Sequence, residues 1–352
     1  MTREEADKIK NIPNVFILGK GRSGTTLLQS LLNAHPNIVA PPESKFVVLH
    51  GARFGKIKKW NETDVHEFVA ALFSEFFFFY TWKQDRKQLT DFLLSAIDYL
   101  DYPLACKMVY YAARGNKNEV KLISDKNPLY AVFIPQIRKV FPDAKFIHLV
   151  RDPRDNVLST IKAYGGGNPF FISWQWLIHN AIIEDDKKKA PDQYFSLLYE
   201  NMVKDIEGTM KELCSFLKIP YNESMKEINR TELKDTYSSN ADEFLKNKKS
   251  MLKPINLSNI DKWRSEMKPA DIEIVERITA RFAKENYGYE MTTDYRKNGA
   301  PEFKIFRWRI IYSIWLPFTR QRYKSNMMNR IYSKVKKKVK GDKMPVWENI
   351  IE

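Results

Sequence analysis

Short apolar runs recur along the chain at Val15–Leu18, Ile38–Ala40, Lys121–Ser124, Lys145–Val150 and Tyr194–Leu198. Runs of this length predict strands buried on both faces. Between them lie stretches with helical spacing: Thr25–Ala34, Val65–Tyr80, Lys87–Tyr99, Leu129–Phe141, Pro153–Tyr164, Phe171–Lys189 and Val203–Leu217. The alternation predicts an α/β fold, a parallel sheet covered by helices on both faces. Right-handed crossovers would bring the strand C-termini to one edge, where such sheets bind ligands. Asn222–Ile260 is polar, lysine-rich and aperiodic, which predicts a long loop that could serve as a lid. Asp271–Asn286 reads as a further helix, ended by Tyr287-Gly288-Tyr289. Past Gly299-Ala300-Pro301 the pattern changes to a basic, aromatic segment, Phe303–Lys340. The expected organisation is one domain over residues 1–299, with the loop at 221–262, and a C-terminal extension over 300–352.

Charge narrows the partners. Lys and Arg number 58 against 43 Asp and Glu, a formal net charge of +15, which favours an anionic nucleotide, nucleic acid or membrane. The hydrophobic share of 43% suffices for a sizeable core. Cys106 and Cys214 match no zinc spacing and read as buried thiols in a reducing compartment. The charged first ten residues lack the apolar core of a secretory signal. No apolar run reaches the ~18 residues of a membrane span. A cytoplasmic protein is the expectation, peripheral to the inner membrane face if its tail binds lipid.

Gly19-Lys20-Gly21-Arg22-Ser23-Gly24-Thr25-Thr26 joins the first strand to the first of these helices. A glycine-rich turn there aims backbone N–H groups and a helix dipole at an anion. The pattern is nearly the P-loop G-x-x-x-x-G-K-[ST], but Thr25 stands where the lysine should be and Arg22 supplies the cation. The turn suits a phosphate-bearing donor other than ATP. A second basic element runs from Phe146 to Ser159. Arg151 follows a strand, a helix begins near Pro153, and Ser159 lies about two turns into it. Arginine and hydroxyl together can grip a phosphate; alternatively, Arg151 pairs with an aspartate and Ser159 is merely exposed.

Taken together, the two elements resemble the sulfotransferase superfamily, whose donor is 3′-phosphoadenosine 5′-phosphosulfate (PAPS), and above all its tyrosylprotein sulfotransferase branch. Further matches are His35-Pro36, Pro41-Pro42-Glu43-Ser44-Lys45, Asp125-Lys126-Asn127-Pro128, Tyr199-Glu200, and Lys253-Pro254-Ile255-Asn256-Leu257 followed by Lys262-Trp263. The resemblance spans Val15–Tyr289. It implies a P-loop-type parallel sheet flanked by helices, with the C-terminal extension outside it. It also implies PAPS as donor, 3′,5′-adenosine bisphosphate as product and no metal. The donor would lie on Lys20, Gly21, Arg22, Ser23, Gly24, Thr25 and Thr26 at its 5′ end, on Arg151, Ser159 and Lys262 at its 3′-phosphate, and against Tyr199. Glu43 would be the general base, with Lys126 and Arg22 neutralising charge during transfer. Ala163 and Lys45 stand where the branch carries arginines, and the branch's N-terminal membrane anchor is missing. These departures bear on the acceptor more than on the donor.

Several residues keep a second reading. Glu43 could cap a helix starting at Ser44. Lys126 could be a surface lysine in the turn before Pro128, Tyr199 a core ring and Lys262 a solvated lysine. His148 reads as a satisfied core histidine. The aromatic run Phe76–Trp82 is either packed core or the wall of an apolar acceptor pocket. Phe303–Lys340 either lies on an anionic membrane or packs on the domain. A hydrophobic or membrane-associated alcohol, such as a sterol or glycolipid, is the first expectation for the acceptor. A polysaccharide hydroxyl and a protein tyrosine follow. No nucleic-acid partner is expected. The competing classes are a small-molecule P-loop kinase and a non-catalytic nucleotide- or membrane-binding protein.

Overall fold

The computed structural model describes residues 1–227 and 257–293. The lysine-rich stretch after residue 227, the Lys253–Asn256 part of the last matching element, and the extension from Phe303 lie outside the described residues. The chain divides into two compact units. The first comprises the described parts of Met1–Gly19, Ser23–Val150 and Ile182–Leu257. The second comprises those of Lys20–Arg22, Arg151–Ala181 and Ser258–Glu352.

The first unit holds a five-stranded sheet: β1 (Asn14–Leu18), β2 (Ile38–Val39), β3 (Leu122–Lys126), β4 (Lys145–Val150) and β5 (Tyr194–Leu198). Its spatial order is β2-β3-β1-β4-β5, and every pairing is parallel. Each residue of β1 and β3 is buried, as in strands covered on both faces, including the polar Ser124, Asp125 and Lys126 that end β3. Ile17 pairs with Lys126 and Leu18 with His148, so β1 and β3 end within one residue of each other and β4 runs two residues further, to Val150.

All five predicted strands exist. Their boundaries correct one expectation: β3 runs on to Lys126, so this lysine ends a buried strand and is not in the turn that follows. The expected helix Val65–Tyr80 is two helices, Glu62–Ser74 and Phe76–Thr81, because Glu75 is extended (ψ 131°). Leu129–Phe141 splits into a 3-10 turn, Tyr130–Phe133, and a helix, Ile134–Val140. Val203–Leu217 opens instead with Tyr199–Lys204 and resumes at Ile206 after Asp205. The expected helix Lys87–Tyr99 shortens to Arg86–Leu94 with a 3-10 turn at Ile97–Tyr99. Tyr102–Ala112, capped by Asp101 and led by Pro103, is a helix the periodicity did not mark.

The second unit has its own core. Val157, Leu158, Ile172, Trp263, Met267 and Val275 pack together, with Ile161 and Ile272 at the margin. Beside it Arg154 donates to Asp152 (2.6 Å) and to fully buried Glu276 (2.7 Å), and its guanidinium lies 3.8 Å over the Trp263 ring. Glu276 also accepts from the backbone N–H groups of Thr292 and Thr293 at 3.0 and 2.7 Å. Among the described residues no helix is long and apolar enough to cross a membrane.

Removing one member of a buried ion pair leaves the other charge uncompensated. Glu276→Ala should lower unfolding free energy by about 3–5 kcal/mol, read as a shifted midpoint in equilibrium urea denaturation. An unchanged midpoint would show that water solvates Arg154.

Candidate functional site

In the first unit the turn after β1 brings the chain close to itself. Gly24 has φ +93°, and a Cβ there would lie 2.4 Å from the Tyr199 ring, so this position tolerates glycine alone. Tyr199, the residue after β5, is therefore packed on the glycine turn and buried. The structure supports the core reading of this ring and also places it against the predicted phosphate loop. Helix Thr25–Asn33 follows, presenting its N-terminus at the turn. Gly24 precedes it without a side-chain cap.

Lys126, 1% exposed at the end of β3, donates to Glu43 and to Thr26 Oγ1 (3.2 Å). An ammonium stripped of water at a strand end needs such partners. Three predicted residues from three chain segments thus form one cluster. Glu43 is not a helix cap. The next helix is Phe46–Leu49, its N-cap position is Lys45, and no side chain caps it.

Two carboxylates that the sequence reading passed over hold this cluster. Glu75 Oε2 accepts from Ser44 Oγ (2.9 Å) and the Lys45 N–H (3.4 Å), while its Oε1 lies 2.8 Å from His50 Nε2. Buried Asp125 accepts from the hydroxyls of Tyr110 and Tyr130 and from the Lys126 N–H. Burial pushes its carboxyl up to about 6, against the pull of these donors and of the Lys126 charge. The aspartate stood in plain view within Asp125-Lys126-Asn127-Pro128. Its tyrosines carried no signal, since each reads as an ordinary core aromatic.

In the second unit Lys20, Gly21, Arg22, Arg151 and Ser159 come together. Arg151 Nη1 donates to the Arg22 carbonyl (3.0 Å), and Arg22 Nε reaches Ser159 Oγ (3.4 Å). Asn156 Nδ2 donates to the Gly21 carbonyl (2.9 Å), and Trp176 Nε1 to the Arg151 carbonyl (2.9 Å). Arg22 adopts a left-handed backbone, φ +71°, which an arginine enters only at a cost. Asp152 pairs with Arg154, Asp155 feels the charge of Arg151, and Ser159 is half-buried, not exposed.

These cations are crowded and dry. Burial brings Lys20 down to about 8. Burial also lowers Arg22, opposed by Tyr164 and reinforced by the like charge of Arg151. His179, passed over in the sequence, is held neutral, its value depressed to about 4 by burial and then by Lys20. An anion would relieve this repulsion. The donors fit a phosphate: a guanidinium, an ammonium, a hydroxyl and a backbone turn.

Lys262 is half-buried at the start of helix Trp263–Glu266. Asp155 holds the backbone on both sides of it, accepting from the N–H groups of Asp261 (2.8 Å) and Trp263 (3.0 Å). Arg151 Nη2 donates to the Asn259 carbonyl (2.6 Å), tying the same segment to the cationic cluster. His148 is a core histidine as expected, fully buried with Nδ1 3.3 Å from Glu184. Among the described residues no group of three or more His, Cys, Asp or Glu could hold a metal ion.

Residues 13–223 match the family described as "Sulfotransferase family", and residues 173–289 match "Sulfotransferase domain". An uncharacterized protein of Aquifex aeolicus is 26% identical over 261 residues, 71% of this chain and 30% of that protein. Protein-tyrosine sulfotransferase 1 of Danio rerio is 24% identical over 274 residues, 75% of this chain and 69% of that one. The sulfotransferase domain of the Synechococcus PCC 7002 olefin synthase superposes with a TM-score of 0.53 at 24% identity, covering 79% of this chain and 95% of that domain, and shares its fold. The first family match alone runs over more than half of the sequence and takes in the glycine turn, Glu43, Lys126, Arg151, Ser159 and Tyr199. This chain belongs to the sulfotransferase family.

Proposed function

We propose that the protein moves a sulfuryl group from PAPS to an acceptor hydroxyl. The observation that carries this reading is the Glu43–Lys126–Thr26 cluster, which sets a carboxylate and an ammonium beside the N-terminus of the helix after the glycine turn. An opposite charge at contact distance favours the ionised carboxylate, the form able to accept a proton. Glu43 takes the proton of the acceptor hydroxyl as its oxygen attacks sulfur. The bond between sulfur and the 5′-phosphate oxygen breaks, leaving a sulfate ester and 3′,5′-adenosine bisphosphate. Lys126 neutralises the charge that gathers on the leaving phosphate oxygen. The N–H groups and hydroxyls of Ser23, Gly24, Thr25 and Thr26 serve the 5′ end. Within the second unit Lys20, Arg22, Arg151, Ser159 and Lys262 are the groups suited to hold a phosphate.

For the acceptor, the aromatic run supplies the argument. The helix Phe76–Thr81 divides its rings. Phe78 and neighbouring Trp82 are buried, stacked 4.7 Å apart, whereas Phe76, Phe79 and Tyr80 are 64%, 49% and 41% exposed. Three large exposed hydrophobic residues within five positions mark a surface that receives something apolar. The helix starts beside Glu75, which holds Ser44 and Lys45, and Lys45 Nζ lies 6.0 Å over the Phe77 ring. An apolar-bodied alcohol fits this surface. A protein tyrosine is the second reading, favoured by the similarity to the Danio rerio enzyme.

Incubation with labelled PAPS and separate pools of apolar alcohols, glycans and tyrosine peptides, followed by mass analysis, should show sulfate on an apolar alcohol. Transfer of phosphate from ATP instead would sink the donor assignment. Glu43→Gln should lower kcat by ~10²-fold or more with donor affinity near wild type. Arg151→Ala should weaken binding of 3′,5′-adenosine bisphosphate by roughly tenfold, read by calorimetry. The triple change Phe76→Ser, Phe79→Ser, Tyr80→Ser should raise the acceptor KM and leave donor binding intact; equal KM values would remove the aromatic surface from the acceptor site.

Lys20 gives a pH signature. Its charge in the free protein is complete below about pH 8 and is lost above it. Bound phosphate favours the charged form, so bisphosphate affinity should be level below pH 8 and decline as pH rises past it. Lys20→Met should bind more weakly below pH 8 and show no such decline. A wild-type profile level to pH 10 would remove Lys20 from the phosphate site.

A further inference from the structure

Asp125 and Tyr130 make no use of their polar groups in the chemistry just described, yet they touch both segments that carry it. Asp125 precedes Lys126 and accepts its backbone N–H at 2.7 Å. Tyr130 Oη contacts the Asp125 carboxylate and also lies 2.9 Å from the carbonyl oxygen of Ser44, the residue after Glu43. Tyr110 contacts the same carboxylate oxygen but not Ser44. All three side chains are buried. A carboxylate and two hydroxyls in an apolar core cost several kcal/mol unless each is satisfied, so this arrangement is rigid where it is complete.

From these contacts we propose that Tyr130, anchored by Asp125, is a positioning residue for sulfuryl transfer. Its single hydroxyl proton, shared between the Asp125 carboxylate and the Ser44 carbonyl, holds that carbonyl, and so the Glu43 carboxylate, against the Lys126 ammonium. The roles of Glu43 and Lys126 rest on the function proposed above; the positioning itself rests on contacts alone. Glu75 holds the same segment from the other side through Ser44 Oγ and the Lys45 N–H. Loss of Tyr130 therefore loosens the segment without releasing it. The partners of a general base need to be placed to a fraction of an ångström, so a small slackening is costly in rate.

The test compares Tyr130→Phe, Asp125→Asn and Tyr110→Phe in the full chain, with thermal unfolding of each. Tyr130→Phe should lower kcat by ~10-fold or more with the donor KM within about twofold of wild type. Tyr110→Phe, which removes a buried hydroxyl from the same carboxylate, should lower stability comparably and leave kcat close to wild type. In a Glu43→Gln background Tyr130→Phe should have no further effect on kcat, because its influence passes through the missing carboxylate. Equal kcat losses in the two tyrosine variants, or additive losses in the Glu43→Gln background, would overturn the positioning role. Should Tyr130→Phe not fold, Asp125→Asn supplies the same comparison with both tyrosines in place. Should the wild-type protein transfer no sulfuryl group, the functional reading fails and this one remains testable. Carbon-13 NMR of the Glu43 carboxyl should shift in Tyr130→Phe and not in Tyr110→Phe, and an unmoved resonance would overturn the proposal by itself.

Discussion

The described structure turns on an ammonium group at the dry end of a parallel strand. Lys126 closes β3, buried on both faces, and meets an acid there in direct contact. Glu43 is that acid. The contact explains why the segment after β2, which has little regular structure of its own, is held by Glu75 and by the Asp125–Tyr130 pair. It also explains how the Glu43 carboxylate can sit on a loop and still be held in place. The buried Asp125 and half-buried Glu75 carboxylates act as fixed acceptors around a stretch without regular structure and restrain it.

The second unit meets a different version of the same electrostatic demand. Lys20, Arg22 and Arg151 are gathered in a poorly hydrated region, with burial lowering the proton affinity of Lys20 and Arg22. Their order is maintained by groups that use backbone rather than charge: Asn156 on Gly21, Trp176 on Arg151, Arg151 on Arg22 and Asn259. Asp155, the acid whose charge acts on Arg151, spends its oxygens on two backbone N–H groups near Lys262 and is raised to about 6 by burial.

Much of this was legible in the sequence, for identifiable reasons. The five strands announced themselves through short apolar stretches, although β3 ends on Ser124, Asp125 and Lys126, and Gly24 through its place in the glycine-rich turn. Arg22, Arg151 and Ser159 stood out as basic and hydroxyl residues near strand ends, whereas Glu43 and Lys126 were singled out only by the resemblance to the sulfotransferase superfamily. The misses have a common cause: they depend on partners distant in sequence. The interruption at Glu75 is invisible to periodicity, since its neighbours continue an apolar helical pattern on both sides; what breaks the helix is a carboxylate turned toward Ser44, 31 residues away. Tyr110 and Tyr130 look like any core aromatics until Asp125 is seen between them. Tyr102–Ala112 was missed because it is buried nearly all round and so lacks an amphipathic stripe.

The extended peptide at Glu75 separates two evolutionary problems. Glu75 itself holds Ser44 and Lys45; downstream, the short aromatic helix exposes Phe76, Phe79 and Tyr80. A helix advances about 100° per residue, so inserting or deleting one residue just past this break would swing the whole row of rings to face elsewhere while the carboxylate kept its grip. Relatives with one reaction core can in this way diversify in what they modify by editing length at a single joint.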